Sequence, residues 1–216
     1  MISLWEDRRV RARPISPELL VAHVAEAVEA RSPRARLAVA IDGAPPTRTD
    51  DLAERLAAEL RLRGRPVVHV AARDFLRPAS LRLELGREDP DVFYTDWLDL
   101  KAIEREVLAP LAPQGTGRVL PRLWDAAADR AYRAQYVDVE PGGVVLLEGS
   151  FLIGAGLDFD LVVHLSMSAS ALARRSESAL SWTLPAYQRY AEEQDPLSTA
   201  DIAVLCDDPR HPALVS

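Results

Sequence analysis

The sequence predicts an α/β fold in which helices cover both faces of a five-stranded, mainly parallel sheet. Five short runs are almost continuously apolar, which is typical of strands that are buried on both faces. Between them lie longer stretches with leucine or valine at every third or fourth position, the period of a helix that buries one face. Because the two patterns alternate along the chain, parallel strands joined by helical crossovers are favoured.

The predicted strands are each five or six residues long and lack the alternation of a half-exposed strand. They are Leu37–Ile41, Pro66–Ala71, Val144–Glu148, Leu161–Leu165 and Ile202–Cys206.

Residues 1–35 predict a helical brace for the sheet, because Ser16 is suited to cap a helix and Pro17 to occupy its first position. A second helix is expected to begin near Asp50, where leucines follow at a spacing of four residues, and Gly64 is suited to end it. Together with the strands on either side, this helix makes a βαβ unit. Further helices are predicted near residues 100–107, 169–175 and 185–193.

Composition restricts the function before any motif is considered. The 216 residues favour a single domain, and a net charge of −7 with 48% apolar residues disfavours a nucleic-acid partner. No apolar run approaches the roughly 20 residues of a membrane helix, so no membrane partner is expected. The single cysteine, Cys206, cannot form an internal disulfide, and a cytoplasmic location is therefore expected.

The histidines and serines indicate neither a metal site nor a serine nucleophile. The four histidines lack metal-ligand spacing, and no serine lies in a G-x-S-x-G turn. His69 and His164 fall inside apolar strands and are interpreted as core residues.

Ligands of open α/β sheets bind at the carboxyl ends of the strands, so the loops that follow the strands carry the functional prediction. The loop after the first strand, DGAPPTRTDD at residues 42–51, lies between a strand and a helix, as a phosphate-binding loop would. The third strand ends in Glu148, at a position where phosphoryl-transfer enzymes hold a magnesium-linked carboxylate.

From residue 36 to residue 209 the chain resembles the uridine kinase and phosphoribulokinase-like branch of the P-loop kinases. The resemblance rests on segments that follow one another in the family's order: IDG, VVHVAARDFLRP, GREDPDVFYTDWLD, LPRLWDAAADR, VVLLEGS and ADIAVLCDDPRHP. It implies a three-layer P-loop-kinase-like fold over residues 1–216, with a nucleoside-side insertion at 73–140. It also implies transfer of phosphate from ATP to a nucleoside hydroxyl, with magnesium.

The phosphate loop departs from the family's G-x-x-x-x-G-K-[ST] pattern. Gly43 remains, but Arg48, Thr49 and Asp50 stand at the second glycine, the lysine and the hydroxyl residue. The two prolines at positions 45 and 46 have no N–H to offer a phosphate. The helical segment that supplies the family's lid is also about a dozen residues shorter here.

The resemblance carries roles over to particular residues. Cofactor contacts fall on Gly43, Thr47, Arg48 and Thr49. Catalytic roles fall on Asp74 and Glu148, with Glu148 as the metal ligand. Substrate contacts fall on Arg77, Phe93, Tyr94, Trp124, Asp125, Arg130 and Arg174.

Each role has a structural alternative. Arg48 either replaces the lysine as a phosphate clamp or belongs to a structural turn. Asp74 either acts as the base or pairs with a neighbouring arginine, because Arg73 stands at the family's base position. Phe93 and Tyr94 either line a nucleoside pocket or anchor their segment to the core.

Two functions follow from these departures. The first is a degenerate kinase-like protein that binds a nucleoside, a nucleotide or a protein partner, with impaired or lost phosphoryl transfer. The second is an active nucleoside kinase, and only this function requires ATP and magnesium. The resemblance also implies a homodimer.

Overall fold

The structure, a computed structural model, describes residues 11–215 of the chain, so residues 1–10 of the expected N-terminal brace lie outside it. The strands are β1 (Ala12–Pro14), β2 (Leu37–Gly43), β3 (Val67–Ala71), β4 (Arg118–Val119), β5 (Trp124–Asp125), β6 (Arg130–Ala131), β7 (Val137–Asp138), β8 (Val144–Gly149), β9 (Leu161–Ser166), β10 (Ile202–Leu205) and β11 (Ala213–Val215). The helices are α1 (Pro17–Glu29), α2 (Thr49–Leu62), α3 (Ala79–Arg82), α4 (Pro90–Asp96), α5 (Leu100–Ile103), α6 (Ala169–Arg175), α7 (Leu184–Gln194) and α8 (Pro196–Thr199). Among the described residues, no helix is both long and apolar enough to cross a membrane.

The main sheet has seven strands, in the order β1-β11-β10-β9-β2-β8-β3. The five predicted strands are its parallel part, from β10 to β3. The predicted count of five was wrong, because β1 and β11 add an antiparallel edge. Each has only three residues, fewer than the roughly four to eight of a recognisable strand pattern, and β1 is exposed along its whole length.

The sheet separates two apolar clusters, which gives the predicted three layers. Successive side chains of a strand point to opposite faces, so Val39 and Ile41 of β2 pack on one side and Ala38 and Ala40 on the other. Helices α1 and α2 cover the first side. Residues 102–111 and the segments around β4 and β7 cover the second.

The helix ends follow the sequence signals. Ser16 caps α1, and its hydroxyl accepts a hydrogen bond from the Leu19 N–H at 3.2 Å. Gly64 follows α2 with φ +83°, and the N–H of Arg65 returns to the Leu60 carbonyl at 2.9 Å.

Strand register brings four chain segments to one edge of the sheet. Asp42 of β2 lies beside Gly149 on one flank and beside His164 on the other. Glu148 at the end of β8 lies beside Ala71, the last residue of β3. The candidate site is built at this edge.

Candidate functional site

The loop between β2 and α2 is folded tightly on itself at Gly43. A β-carbon at this position would lie 2.6 Å from Thr47 Oγ1 and 2.8 Å from the Leu165 carbonyl oxygen. The Thr47 hydroxyl donates to the Ala44 carbonyl at 2.7 Å, and the residue is almost fully buried. Only glycine fits at position 43, and Thr47 fills the space above it.

The loop amides are used within the loop. Residues Pro45–Thr47 form one turn of 3₁₀ helix, in which the Thr47 N–H donates to the Ala44 carbonyl at 2.9 Å. The Arg48 N–H donates to the Pro45 carbonyl at 3.1 Å. Because the two prolines have no N–H, four successive residues offer no free amide to an anion.

Arg48 takes the left-handed conformation, with φ 65° and ψ 50°, at the position where the family has its second glycine. Its guanidinium lies 3.5 Å from an Asp50 carboxylate oxygen and 3.9 Å from one of Asp51. The side chain is 60% exposed. Its charge is therefore shared with two carboxylates of the same turn.

Thr49 and Glu148 form a buried contact at the position of the missing lysine. The Thr49 hydroxyl donates to Glu148 Oε2 at 2.8 Å, and both residues are less than 5% exposed. The other oxygen, Oε1, makes no hydrogen bond, but Nη1 of Arg73 lies 3.4 Å away as an ion pair. Arg73 was not predicted as a site residue, although its position directly after the second strand was the available signal.

Magnesium and ATP do not fit this set of groups. Glu148 Oε1 is an orphaned buried oxygen, but the Arg73 cation already lies against it. Within residues 11–215, no group of three or more His, Cys, Asp or Glu side chains is suited to hold a metal ion. The loop offers no lysine to the phosphates, and residues 45–48 offer no free amide.

Asp74 contacts the insertion rather than Glu148. Its Oδ2 lies 3.1 Å from the Arg122 Nε, and its Oδ1 accepts from the Tyr132 hydroxyl at 3.4 Å. The adjacent Arg73 is the residue of this turn that contacts Glu148.

Phe93 lies in a cluster of packed rings rather than beside an open pocket. Its ring centroid lies 5.0 to 6.0 Å from those of Trp97, Phe151, Trp182 and Tyr187. Tyr94 packs against Phe151 at 5.1 Å, and its hydroxyl accepts from the Gln194 amide at 3.2 Å. Trp182 comes from the turn Ser178–Thr183, which joins α6 to α7 where a lid would start.

The other predicted substrate residues are held within their own segments or exposed. Arg77 pairs with Asp96 at 3.1 Å. The indole of Trp124 donates to Asp129 at 3.1 Å. Asp125 accepts from the backbone of the turn that follows it. Arg130 and Arg174 are exposed. Of all the predicted site residues, the structure brings together Gly43, Thr47, Arg48, Thr49 and Glu148.

A buried network on the β9 side of β2 was missed at the sequence level. The Asp42 carboxylate is fully buried and accepts from the Leu152 N–H at 2.9 Å and from the Tyr190 hydroxyl at 2.9 Å. His164 Nδ1 lies 2.7 Å from the same carboxylate. The only signal was an Asp directly after the first predicted strand and a His inside another predicted strand.

Burial raises the pKa values of two tyrosines at this site, Tyr190 and Tyr187. It raises the pKa of Tyr190, and the adjacent Asp42 charge raises that pKa further. Burial also raises the pKa of Tyr187 to about 12, and its hydroxyl lies 3.2 Å from that of Ser150. Both tyrosines are therefore neutral hydrogen-bonding groups at physiological pH.

The network lies beneath a cleft of about 60 Å³. The cleft is lined by Gly43, Ala44, Ser150, Phe151, His164, Leu165, Ser166, Met167, Leu172, Tyr187, Tyr190, Ala191 and Pro196.

Comparison with known proteins supports the fold. No protein-family model matches the chain, and no curated protein matches it significantly in sequence. It is similar to the structure of a possible uridine kinase from Bacillus stearothermophilus, with a TM-score of 0.69 and 20% identity over 85% of this chain and 96% of that one. The chain has a P-loop-kinase-like fold.

Two further structures give the same result. One is described as a fructose transport system kinase from Silicibacter sp. TM1040, with a TM-score of 0.57 and 23% identity over 84% of this chain and 90% of that one. The other is D-glycerate 3-kinase from Cryptococcus neoformans var. grubii, with a TM-score of 0.51 and 15% identity over 82% and 78%. The predicted fold is confirmed, with seven strands in place of five.

Proposed function

We propose that this chain is a uridine-kinase-like binding protein that has lost efficient ATP-dependent phosphoryl transfer and acts by binding a nucleoside, a nucleotide or another small molecule. The observation that carries the proposal is the closed β2–α2 loop. Its Thr47 and Arg48 amides donate to carbonyls of the same loop, and Thr49 donates to Glu148 where a lysine would meet phosphate.

Phosphoryl transfer depends mainly on positioning and on neutralising charge, so the losses here remove the main contributions to rate. Loss of a single preorganised donor typically costs about 10²- to 10³-fold in kcat. This chain lacks the lysine and the hydroxyl residue of the pattern, and residues 45–48 offer no free amide. One compensating arginine does not replace all of them.

The negative charges at the start of α2 also oppose the binding of ATP. Asp50 and Asp51 occupy the first turn of α2, where an anion would otherwise be stabilised by the helix dipole. A like charge at 4 Å costs about 1 kcal/mol in water and about 4 kcal/mol at an effective dielectric constant near 20. Arg48 is paired with these two carboxylates, so its positive charge offsets their negative charge instead of that of a phosphate.

The alternative function, an active nucleoside kinase, requires three residues to leave their present contacts. Arg48 would have to leave two carboxylates, and Asp74 would have to leave Arg122 and Tyr132. Glu148 would have to exchange Arg73 for a metal ion. No contact in the structure favours this arrangement.

The test is calorimetric titration with magnesium and a non-hydrolysable ATP analogue, and separately with uridine. The native chain is expected to show no saturable heat with the nucleotide analogue up to millimolar concentration. A variant with Arg48→Gly, Thr49→Lys and Asp50→Thr is the matched control for restored loop chemistry. Magnesium-dependent micromolar binding by the native chain, together with phosphate transfer to uridine, would show that the proposal is wrong.

The binding half of the proposal is tested separately. Saturable binding of uridine or another nucleoside without ATP is the expected result, and the absence of binding to every nucleoside and nucleotide contradicts it. A homodimer belongs to the same proposal, because phosphoribulokinase-like relatives self-associate. Light scattering of the purified chain measures its mass directly.

A further inference from the structure

The two end strands of the main sheet differ in how well they are protected against pairing with another strand. At one end, β1 has three residues and closes with Pro14, which has no N–H to donate. At the other end, β3 has five residues, four of which are half-exposed. An unprotected edge strand presents unpaired backbone groups that pair readily with another chain. The edge suited to such pairing is therefore β3.

The register of β3 decides which of its backbone groups face outward. The Pro66 carbonyl accepts from the Val144 N–H of β8 at 2.8 Å. Because alternate residues of a strand bond to the same side, the even-numbered residues of β3 bond to β8, and the backbone of Val67, His69 and Ala71 faces outward. Within residues 11–215, the N–H groups of these three residues make no hydrogen bond.

Helix α2, which packs on β3 and β8, carries two charges that are not neutralised within the described part of the chain. Its other charged residues form ion pairs: Asp50 and Asp51 with Arg48, Arg55 with Glu18, and Glu59 with Arg63. Glu54 forms no ion pair among the described residues. Arg61 donates to the Val67 carbonyl at 2.9 Å and has no carboxylate partner there.

These two residues lie on one stripe of α2. Glu54, Ala58 and Arg61 are spaced by four and three residues, so they share a face of the helix, and all three are exposed. The stripe flanks the open edge, because the Arg61 guanidinium reaches the outward carbonyl of Val67. A negative and a positive charge therefore lie about 10 Å apart along this flank, with a small residue between them.

The backbone of the edge is complementary to a second copy of itself. Antiparallel pairing of two β3 strands about a two-fold axis at His69 lets each His69 exchange its N–H and C=O bonds with the other. Ala71 of each copy then lies opposite Val67 of the other. The two α2 helices would lie about 10 Å apart, because each packs above β3 and β8, and this is the distance at which helices pack.

The charges of the flank are complementary under the same rotation. Helix α2 of one copy runs antiparallel to α2 of the other, so the Arg61 end of each meets the Glu54 end of its counterpart. Arg61 exchanges a carbonyl for a carboxylate, and Glu54 gains the partner that it lacks. Ala58 lies near the axis, where its small side chain lets the helices approach.

We propose that the chain forms a two-fold dimer by antiparallel pairing of β3 with β3 of a second copy, with Arg61 of each copy bound to Glu54 of the other. The inference deepens the proposed function and rests on the homodimer named there, because it identifies the surface through which the copies meet.

Charge reversal tests this surface by light scattering of the full chain from micromolar to millimolar concentration. The native chain is expected to reach twice the mass of one chain. Glu54→Arg sets two arginines together at two places in the dimer and should weaken self-association by at least about tenfold, as should Arg61→Glu. The double variant Glu54→Arg with Arg61→Glu restores both pairs and should recover the native mass.

Glu26→Arg supplies the matched control. Glu26 is exposed on α1, which packs over β9 and α2, and it forms no ion pair among the described residues. The variant makes the same change of charge as Glu54→Arg and should associate as the native chain does. Circular dichroism confirms that each variant is folded.

Amide hydrogen exchange of the native chain gives a readout that does not depend on any variant. The N–H groups of Val67, His69 and Ala71 should exchange more slowly as the concentration rises from the monomer to the dimer. Equal exchange rates at both concentrations overturn the inference, even if a charge-reversed variant does not fold.

Three results of the scattering experiment also overturn it: a native chain that stays monomeric at millimolar concentration, a dimer that Glu54→Arg leaves intact, or a double variant that stays dissociated. A dimer that survives Glu54→Arg keeps the homodimer of the proposed function and refutes only this surface. The nucleoside and nucleotide titrations test the binding function separately, so its failure is a different result.

Discussion

Replacing Tyr190 by phenylalanine tests the buried network most directly. The Tyr190 hydroxyl is almost fully buried, donates to Asp42 Oδ2 at 2.9 Å and accepts from the Ile153 N–H at 3.1 Å. A hydrogen bond to a charged group contributes about 1.5 to 3 kcal/mol, and a buried N–H left without a partner costs about 1 to 3 kcal/mol. Because the two effects overlap, we expect Tyr190→Phe to lower the free energy of unfolding by about 3 kcal/mol.

Tyr187 on the same helix supplies the matched control. Among the described residues, its hydroxyl has one hydrogen-bond partner, the neutral Ser150 hydroxyl at 3.2 Å. Tyr187→Phe should therefore cost about 0.5 to 1.5 kcal/mol. Urea unfolding followed by circular dichroism measures both variants, with the m-value unchanged if the native and unfolded states keep their surfaces. If the two variants lose the same stability within about 0.5 kcal/mol, the assignment of Tyr190 to a charged network is refuted.

Three further predictions concern the loop and the cysteine. Gly43→Ala should lower the free energy of unfolding by at least about 2 kcal/mol in the same urea assay, because the new β-carbon would lie 2.8 Å from the Leu165 carbonyl oxygen. Adding Thr47→Ala to this variant should restore only part of the lost stability, and full recovery would contradict a clash with the Leu165 carbonyl. Arg48→Gly should raise the free energy of unfolding by up to about 1 kcal/mol, because glycine adopts the left-handed conformation without strain. Gly64→Ala should lower it by about as much, because φ is +83° there although a β-carbon would meet nothing within 4 Å. If both variants change the stability in the same direction, the argument from backbone strain is refuted. Burial raises the pKa of Cys206 to about 12 from 9.0, so its thiol should resist an aromatic disulfide reagent at neutral pH until urea unfolds the chain. For the same reason the free energy of unfolding should fall as pH rises from 9.0 to about 12, where the unfolded thiol ionises first. Cys206→Ala should reduce that fall, and the part that remains comes from Tyr187 and Tyr190, whose pKa values are also raised.

The fold could be predicted wherever burial leaves a local pattern. Strand β2 is buried at all seven positions and was predicted from its apolar run alone, apart from its last two residues. The cap at Ser16 is a local hydrogen bond and was also predicted. Strands β1 and β11 pair across almost the whole chain, and three residues in each strand are too few to show a period that would predict the pairing.

Part of the candidate site could likewise be predicted from local sequence features, and part could not. The closure of the β2–α2 loop was foreseen in part, since the prolines and aspartates are visible in the sequence. His164 was interpreted as a core residue, and it is buried as expected. Its bond to Asp42 depends on the pairing of β2 with β9, and the contact with Tyr190 depends on how α7 packs. Both are non-local contacts, and no periodicity records them.

The charges at the sheet edge restrict the ligand on both sides of β2. On the β8 side each arginine is already paired: Arg48 with Asp50 and Asp51, and Arg73 with Glu148. Breaking the exposed Arg48 pairs costs only about 0 to 1 kcal/mol each, so that pairing alone would not exclude a triphosphate. The carboxylates left behind would repel it, however, and residues 45–48 offer no free amide to offset that repulsion. On the β9 side the cleft lies above the buried Asp42 carboxylate, and none of the described residues that line it is an arginine or lysine. An anion is therefore the class of ligand that both sides oppose.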